Sequence, residues 1–237
     1  MDHLSLAAEL AVNTYPGRGI VLGRSEDGKH AVIAYFIMGR SANSRNRVFT
    51  EKDGGIITQA ADPAKLEDPS LIIYAPVRVY GNKTIVTNGD QTDTVRDGLL
   101  NGESFSQALS RRCFEPDGPN WTPRVSAMLT FADGDFTYEM SILKSADAEG
   151  TACSRFTFSY PALSGVGHFL HTYVTDGNPV IPTFQGEPER VAVGNDPEAF
   201  AAQVWDSLNA DNKVSLYINW IDLATGEESV RIFNKNQ

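Results

Sequence analysis

Arg18-Gly-Ile-Val-Leu-Gly23 and Ala31-Val-Ile-Ala-Tyr-Phe-Ile-Met38, joined across Glu26-Asp-Gly28, decide the fold class. Both runs are rich in β-branched and aromatic residues, and Asp-Gly marks a tight turn, so the segment reads as a β-hairpin. The same pattern recurs. Leu71–Tyr80 and Lys83–Thr87 turn at Gly81-Asn82, Val125–Phe131 and Asp135–Leu143 at Asp133-Gly134, and Lys213–Leu223 and Ser229–Phe233 at Thr225-Gly226. Cys153–Tyr160 and His168–Val174 read as further strands.

Helices are few. Residues 3–12 put Leu4, Ala7, Ala8 and Ala11 on one face, and Ser104–Phe114 puts Phe105, Ala108, Leu109 and Cys113 on one side. The strongest helix spans 196–208, where Asp196 can cap, Pro197 suits the first turn, and Phe200, Val204, Trp205 and Leu208 form an apolar stripe. Long hairpins with separate helices predict an α+β fold of antiparallel sheet or a layered αββα arrangement. No linker, repeat or low-complexity tract divides residues 1–237, which predicts one domain. Nucleotide fingerprints of the GxGxxG or GxxxxGK[ST] type are missing.

The formal net charge is −10, from 20 Lys+Arg against 30 Asp+Glu. Such an acidic balance argues against a nucleic-acid partner, whose phosphates the surface would repel. Hydrophobic content of 41% and charged content of 21% predict an ordinary buried core. The first residues lack a basic leader, with Asp2 ahead of the apolar patch and Glu9 within it, and no apolar run is long enough to span a bilayer. These features predict a cytoplasmic protein without a membrane partner. Cys113 and Cys153, the 2 cysteines, read as reduced packing residues.

Against the acidic background, Arg18, Arg24, Arg40, Arg45 and Arg47 fall within one short region, around Tyr15-Pro-Gly-Arg-Gly-Ile20 and Gly39-Arg-Ser-Ala-Asn-Ser-Arg-Asn-Arg47. Guanidinium forks among Ser and Asn donors suit an anion grip, and the same composition equally suits a solvated loop. Val86-Thr-Asn-Gly-Asp-Gln-Thr-Asp-Thr94 reads either as a turn with a helix cap or as a polar floor for a heterocycle or ribose. Asp90, Asp93 and Asp97 fit no calcium-loop spacing. His3, His30, His168 and His171 have no metal-like spacing, and His168 and His171 would face opposite sides of a strand, so no metal is expected. Tyr74 sits in an apolar run, and Glu115 follows a predicted helix, where a carboxylate opposes the helix dipole.

The order of these blocks resembles the archaeal-type IMP cyclohydrolase family. The likeness runs through Tyr15-x-Gly-Arg18, Gly39-Arg-Ser41 with Asn46-Arg47, Asp68-Pro69, Tyr74, Arg78, Thr87-Asn-Gly89 with Thr92-Asp-Thr94, Phe114-Glu115 and Thr122-Pro-Arg124. Past about residue 145 only His171-Thr-Tyr173 aligns. The resemblance implies a four-layer αββα sandwich like that of N-terminal nucleophile hydrolases, without their nucleophile chemistry. It implies closure of the purine ring of 5-formamidoimidazole-4-carboxamide ribonucleotide to IMP with loss of water. That reaction is intramolecular and demands no cofactor.

By the same resemblance Arg47, Tyr74 and Glu115 match the family's active-site arginine, tyrosine and carboxylate. Arg18 and Arg40 would join Arg47 at the phosphate or formyl group, Asn88 and Asp93 would orient ribose or base, and Arg124 would be a further anion contact. The likeness also allows a homo-oligomer. The chain differs from the family in a longer N-terminus, the extra Arg45 and the Pro116–Asn120 turn. Those departures keep open a nucleotide-binding relative with another substrate or none.

Overall fold

A computed structural model describes residues 4–237. His3, the first position of the predicted 3–12 helix, lies outside the described residues. The chain is an α+β fold of two antiparallel sheets with few helices. In chain order the strands are β1 (Arg18–Arg24), β2 (His30–Met38), β3 (Arg47–Lys52), β4 (Gly55–Ala60), β5 (Val77–Tyr80), β6 (Lys83–Thr87), β7 (Arg124–Ala132) and β8 (Asp135–Ser145). They continue with β9 (Cys153–Pro161), β10 (Val166–His171), β11 (Glu189–Ala192), β12 (Lys213–Asp222) and β13 (Glu228–Asn234). The α-helices are α1 (Leu6–Val12), α2 (Ala42–Arg45), α3 (Gln91–Leu100), α4 (Phe105–Leu109) and α5 (Pro197–Ser207).

One sheet has six strands in the order β11-β10-β1-β2-β12-β13, and the other seven in the order β3-β4-β5-β6-β7-β8-β9. The period of two along β2 divides its residues between two cores. Ile33, Tyr35 and Ile37 point at the second sheet and meet Val86, Ala127, Met140 and Ile142. Val32, Ala34 and Phe36 point the other way, onto Leu6 and Leu10 of α1 and Phe200 and Val204 of α5. On the far side of the second sheet, Ile85, Met128 and Leu143 pack with Val95 of α3 and with Phe105 and Leu109 of α4. Each fully buried large apolar side chain in these clusters contributes about 1.5–3 kcal/mol of transfer free energy.

The predicted hairpins form at β1–β2, β7–β8 and β12–β13 with the expected turns. The Asp196 carboxylate caps α5, accepting from the Glu198 and Ala199 amides. Four predicted elements are shorter than expected. The helix over residues 3–12 begins only at Leu6, because the Ser5 side chain caps it and Leu4 forms a bridge to Val191. Leu71–Tyr80 is a strand only from Val77, because Pro76 has no amide for the ladder and the preceding backbone bonds to the Thr58 side chain. The helix over Ser104–Phe114 closes at Leu109, with its first turn held by a Ser104–Gln107 capping box. The strand over His168–Val174 stops at His171. The β3–β4 hairpin is an addition, turning at Asp53-Gly54 with φ of 51° and 73°.

Candidate active site

At the end of the sheets where β1 begins and β2 finishes lies a cavity of about 280 Å³, lined by Tyr15, Arg18, Arg47 and Glu115 together with Asn43, Ser44, Asp68, Leu71, Ile72 and Asp117. Each charged group arrives by a local device. Gly17 holds φ at +78°, and a Cβ there would stand 2.1 Å from the Thr172 hydroxyl and 2.6 Å from the Tyr173 ring. Only glycine lets the chain pass beneath Thr172 and Tyr173 and deliver Arg18 to the start of β1. The Arg18 amide then donates to Thr172 Oγ1 at 3.1 Å.

Arg47 enters through α2, a single turn closed by a reciprocal Ser41–Ser44 capping box. Its guanidinium folds back, with Nε donating to the Ser44 carbonyl at 2.7 Å and Nη2 to the Met38 carbonyl at 3.2 Å. Arg47 is 2% exposed, and its hydrogen bonds go to backbone carbonyls and not to a carboxylate. Burial pulls its pKa down, and the neighbouring Arg18 adds to that. A buried guanidinium without an acid partner is costly unless an anion compensates it.

Glu115 is 3% exposed and accepts from Arg18 Nη2 at 2.5 Å. Its amide donates to the Thr122 carbonyl at 2.8 Å, and Asp117 braces the returning loop by accepting from the Thr122 amide at 2.7 Å. The Thr122 hydroxyl meets the Tyr173 hydroxyl at 2.5 Å. Burial pushes the Glu115 carboxyl above the usual carboxylate range, against the opposing pull of Arg18 and then Arg124. For Arg18 the balance reverses: burial is the largest single influence and lowers its pKa, but Glu115, Tyr74, Tyr173 and Tyr35 together outweigh it and hold the guanidinium well above the ordinary value. The buried 2.5 Å contact makes the two an ion pair, and the pair only partly offsets the desolvation of the carboxylate.

Tyr74 reaches this charge cluster from the irregular segment before β5. Its hydroxyl shares a 2.8 Å hydrogen bond with Tyr35 of β2, and both Arg18 and Arg47 act on it electrostatically. The cavity lining therefore brings together Arg18, Arg47 and Glu115 from three separate segments, and Tyr74, outside that lining, stands behind them on Tyr35.

The other expected site residues lie further out. Arg40 pairs with Asp176 at 2.7 Å and lies over the Tyr15 ring, at the rim. Arg124 donates to Asp90 and Gln91, each at 2.8 Å, and acts on Glu115 only through space. Asn88 is fully buried and committed to the protein, donating to the Pro123 carbonyl at 2.9 Å and accepting from the Val125 amide at 3.0 Å and from Gln91 at 2.8 Å. Asp93 pairs with Arg78 at 2.5 Å and Arg96 at 3.1 Å on the outer side of α3. Thr87 and Thr92 share a 2.6 Å bond, and a Cβ on Gly89 would stand 2.6 Å from Arg124 Nη1. The Asn-Gly-x-x-Thr-Asp-Thr block thus builds the corner that seats Arg124.

Sequence reasoning missed Tyr35, Asn43 and Asp117. Tyr35 carried one signal, a hydroxyl within an apolar run on the sheet-facing parity. Asn43 and Asp117 carried none beyond polar loop composition. Among the described residues no group of three or more His, Cys, Asp or Glu side chains could hold a metal ion. Nor is any helix among them long and apolar enough to cross a membrane.

A pocket lined by a buried guanidinium bonded only to backbone carbonyls and by a paired, buried carboxylate, set at one end of two antiparallel sheets, defines the class of site. The family described as IMP cyclohydrolase-like protein matches residues 15–227, and the chain belongs to that family. An IMP cyclohydrolase of Methanococcus maripaludis strain C6 is 34% identical over 123 residues, which cover 49% of this chain and 58% of that protein. An IMP cyclohydrolase of Methanopyrus kandleri is 30% identical over 146 residues, covering 57% of this chain and 72% of that protein. The chain spans a little over half the length of the Methanococcus relatives it matches.

Proposed function

We propose that the protein is an IMP cyclohydrolase, closing the purine ring of 5-formamidoimidazole-4-carboxamide ribonucleotide to IMP with release of water, in the cytoplasm. In this reaction the carboxamide nitrogen attacks the formyl carbon of the same molecule, the formyl oxygen takes up protons, and it departs as water. Holding the two groups in the reactive rotamer and handling protons are what an enzyme must supply. Arg47 receives the negative charge, whether of the 5′-phosphate or of the formyl oxygen as it becomes an alkoxide. The Tyr74 hydroxyl, held by Tyr35, donates to that oxygen. Glu115 takes the proton from the amide nitrogen, and Arg18 keeps the buried carboxylate ionised enough to do so. Arg40 sits at the rim for the outer part of the nucleotide, while Asn88, Asp93 and Arg124 act on the site through the corner they build.

The observation that carries this reading is Arg47, a buried cation with no acid partner among the described residues, beside a buried Glu115 that has a cationic one. We also read the helix-sheet-sheet-helix order of the three apolar clusters as the four-layer αββα sandwich of the N-terminal nucleophile hydrolases. The shared core between the sheets supports residues 1–237 as one domain.

Absorbance at the purine band, with purified protein, the formamido ribonucleotide and no added metal or nucleotide, tests the proposal. Turnover that falls in Tyr74→Phe and Glu115→Gln is the expected result. No turnover, with saturable IMP binding that Arg47→Ala abolishes, would replace it with a non-catalytic nucleotide-binding relative.

A further inference from the structure

The two cysteines, 40 positions apart in sequence, are neighbours in space. The Arg155 guanidinium bridges their segments, donating through Nη2 to the Arg112 carbonyl at 2.8 Å and through Nη1 to the Cys153 carbonyl at 3.2 Å. Across this bridge the Cys113 and Cys153 thiols are neighbours, close enough for Cys113 to act on the ionisation of Cys153, and the Cys153 thiol donates to the Ser154 carbonyl at 3.6 Å. Both thiols are free, Cys113 exposed and Cys153 half-buried against Leu143 and the α4 cluster. The expectation that both are packing residues is therefore corrected for Cys113. Cys113 stands two residues before Glu115, and Cys153 opens β9.

We propose that Cys113 and Cys153 form a reversible disulfide that tethers the Glu115 loop to β9, a redox modification site next to the pocket. The oxidant is a low-molecular-weight disulfide of the glutathione type. The exposed Cys113 thiolate attacks one sulfur of that disulfide and expels the first small thiolate. Cys153 then loses its proton and attacks the Cys113 sulfur of the mixed disulfide, expelling the second. Two protein thiols are oxidised and one small disulfide is reduced to two thiols, so atoms and electrons balance.

The order of attack follows exposure. Burial, together with the adjoining Cys113 thiol, pushes the Cys153 thiol up to about 11, which suits the resolving role and not the first attack. A thiol pair that is half open to solvent fits a labile, regulatory bond better than a structural one. Bonding draws the sulfurs together and pulls on Phe114 and Glu115, loosening the 2.5 Å contact of Glu115 with Arg18. That consequence rests on the reading of Glu115 as the site carboxylate, whereas the cross-link itself does not.

The test incubates the full chain with oxidised glutathione and follows intact mass and free thiols, then turnover before and after dithiothreitol. The wild type should lose both thiols together with no adduct retained. Cys153→Ser should trap glutathione on Cys113, and Cys113→Ser should stay largely unmodified. Turnover of the oxidised wild type should fall about tenfold and return on reduction, while Cys153→Ser without oxidant keeps full turnover. A wild type that accumulates a stable glutathione adduct on Cys113 while Cys153 stays free overturns the cross-link. A cross-linked protein with unchanged turnover overturns its coupling to the site. If the reduced protein has no turnover at all, that failure belongs to the proposed reaction, and the thiol chemistry still decides the disulfide.

Discussion

The two ends of the sheet pair carry cavities of similar size and opposite character. Around the start of β1 the cavity is about 280 Å³ and is floored by buried Arg47 and Glu115. Around the β5–β6, β7–β8 and β12–β13 turns it is about 350 Å³, with Val79, Phe131 and Leu223 on its walls. At the turn end the charges are solvated or locally paired, as with Arg24 and the exposed Asp135. Volume therefore does not mark the site. What marks it is desolvated charge, which a fold retains at a cost in stability and which a ligand can compensate.

The largest effect that would break this contrast is on proton transfer. Glu115→Gln should lower kcat by about 10²–10⁴-fold with little change in KM, measured by steady-state absorbance. The pH profile sharpens it. Glu115 acts as a base only when ionised, so the rate should rise with pH through its pKa, which burial holds above the usual carboxylate range. Arg18→Ala removes the nearest cation that opposes burial, so the acidic limb should move to higher pH and neutral-pH turnover should fall. A limb unmoved by that change would detach Glu115 from catalysis.

Next in size is the corner of α3. Asn88→Ala leaves the buried Val125 amide and Pro123 carbonyl without their partner, and should cost about 1–3 kcal/mol in denaturant unfolding. Smallest of all, Leu223→Ala in the turn-end cavity should leave kcat/KM within about twofold of wild type, since this partly buried side chain packs on the core at the end of the sheets away from Arg47 and Glu115. A large loss there would mean that the larger cavity takes part in the reaction.

How much of this could be read from the chain follows from the range of each signal. The β1–β2, β7–β8 and β12–β13 hairpins announce themselves locally, through apolar runs flanking Asp-Gly or Thr-Gly turns. The β3–β4 hairpin carried the same signal, with Phe49 before Asp53-Gly54 and Ile56 after it, but the arginines ahead of it drew the reading toward a loop. Arg47, Tyr74 and Glu115 were named from resemblance, and the structure gathers them at one end. Their partners were beyond reach, because the Tyr35–Tyr74 and Arg18–Glu115 contacts join residues 39 and 97 positions apart. Asn88 and Asp93 show the converse: their motif is plain in sequence, yet only tertiary contacts reveal that their polar atoms bond to the protein itself.

Everything proposed for the site turns on Arg47 as a buried cation awaiting an anion. Calorimetric titration of wild type and Arg47→Ala with IMP at neutral pH, each checked for an unchanged unfolding transition, tests it most directly. One saturable site is expected in the wild type, with a loss of about 1.5–3 kcal/mol of binding in the variant, roughly tenfold or more in affinity. Equal affinities in two equally folded proteins would contradict it.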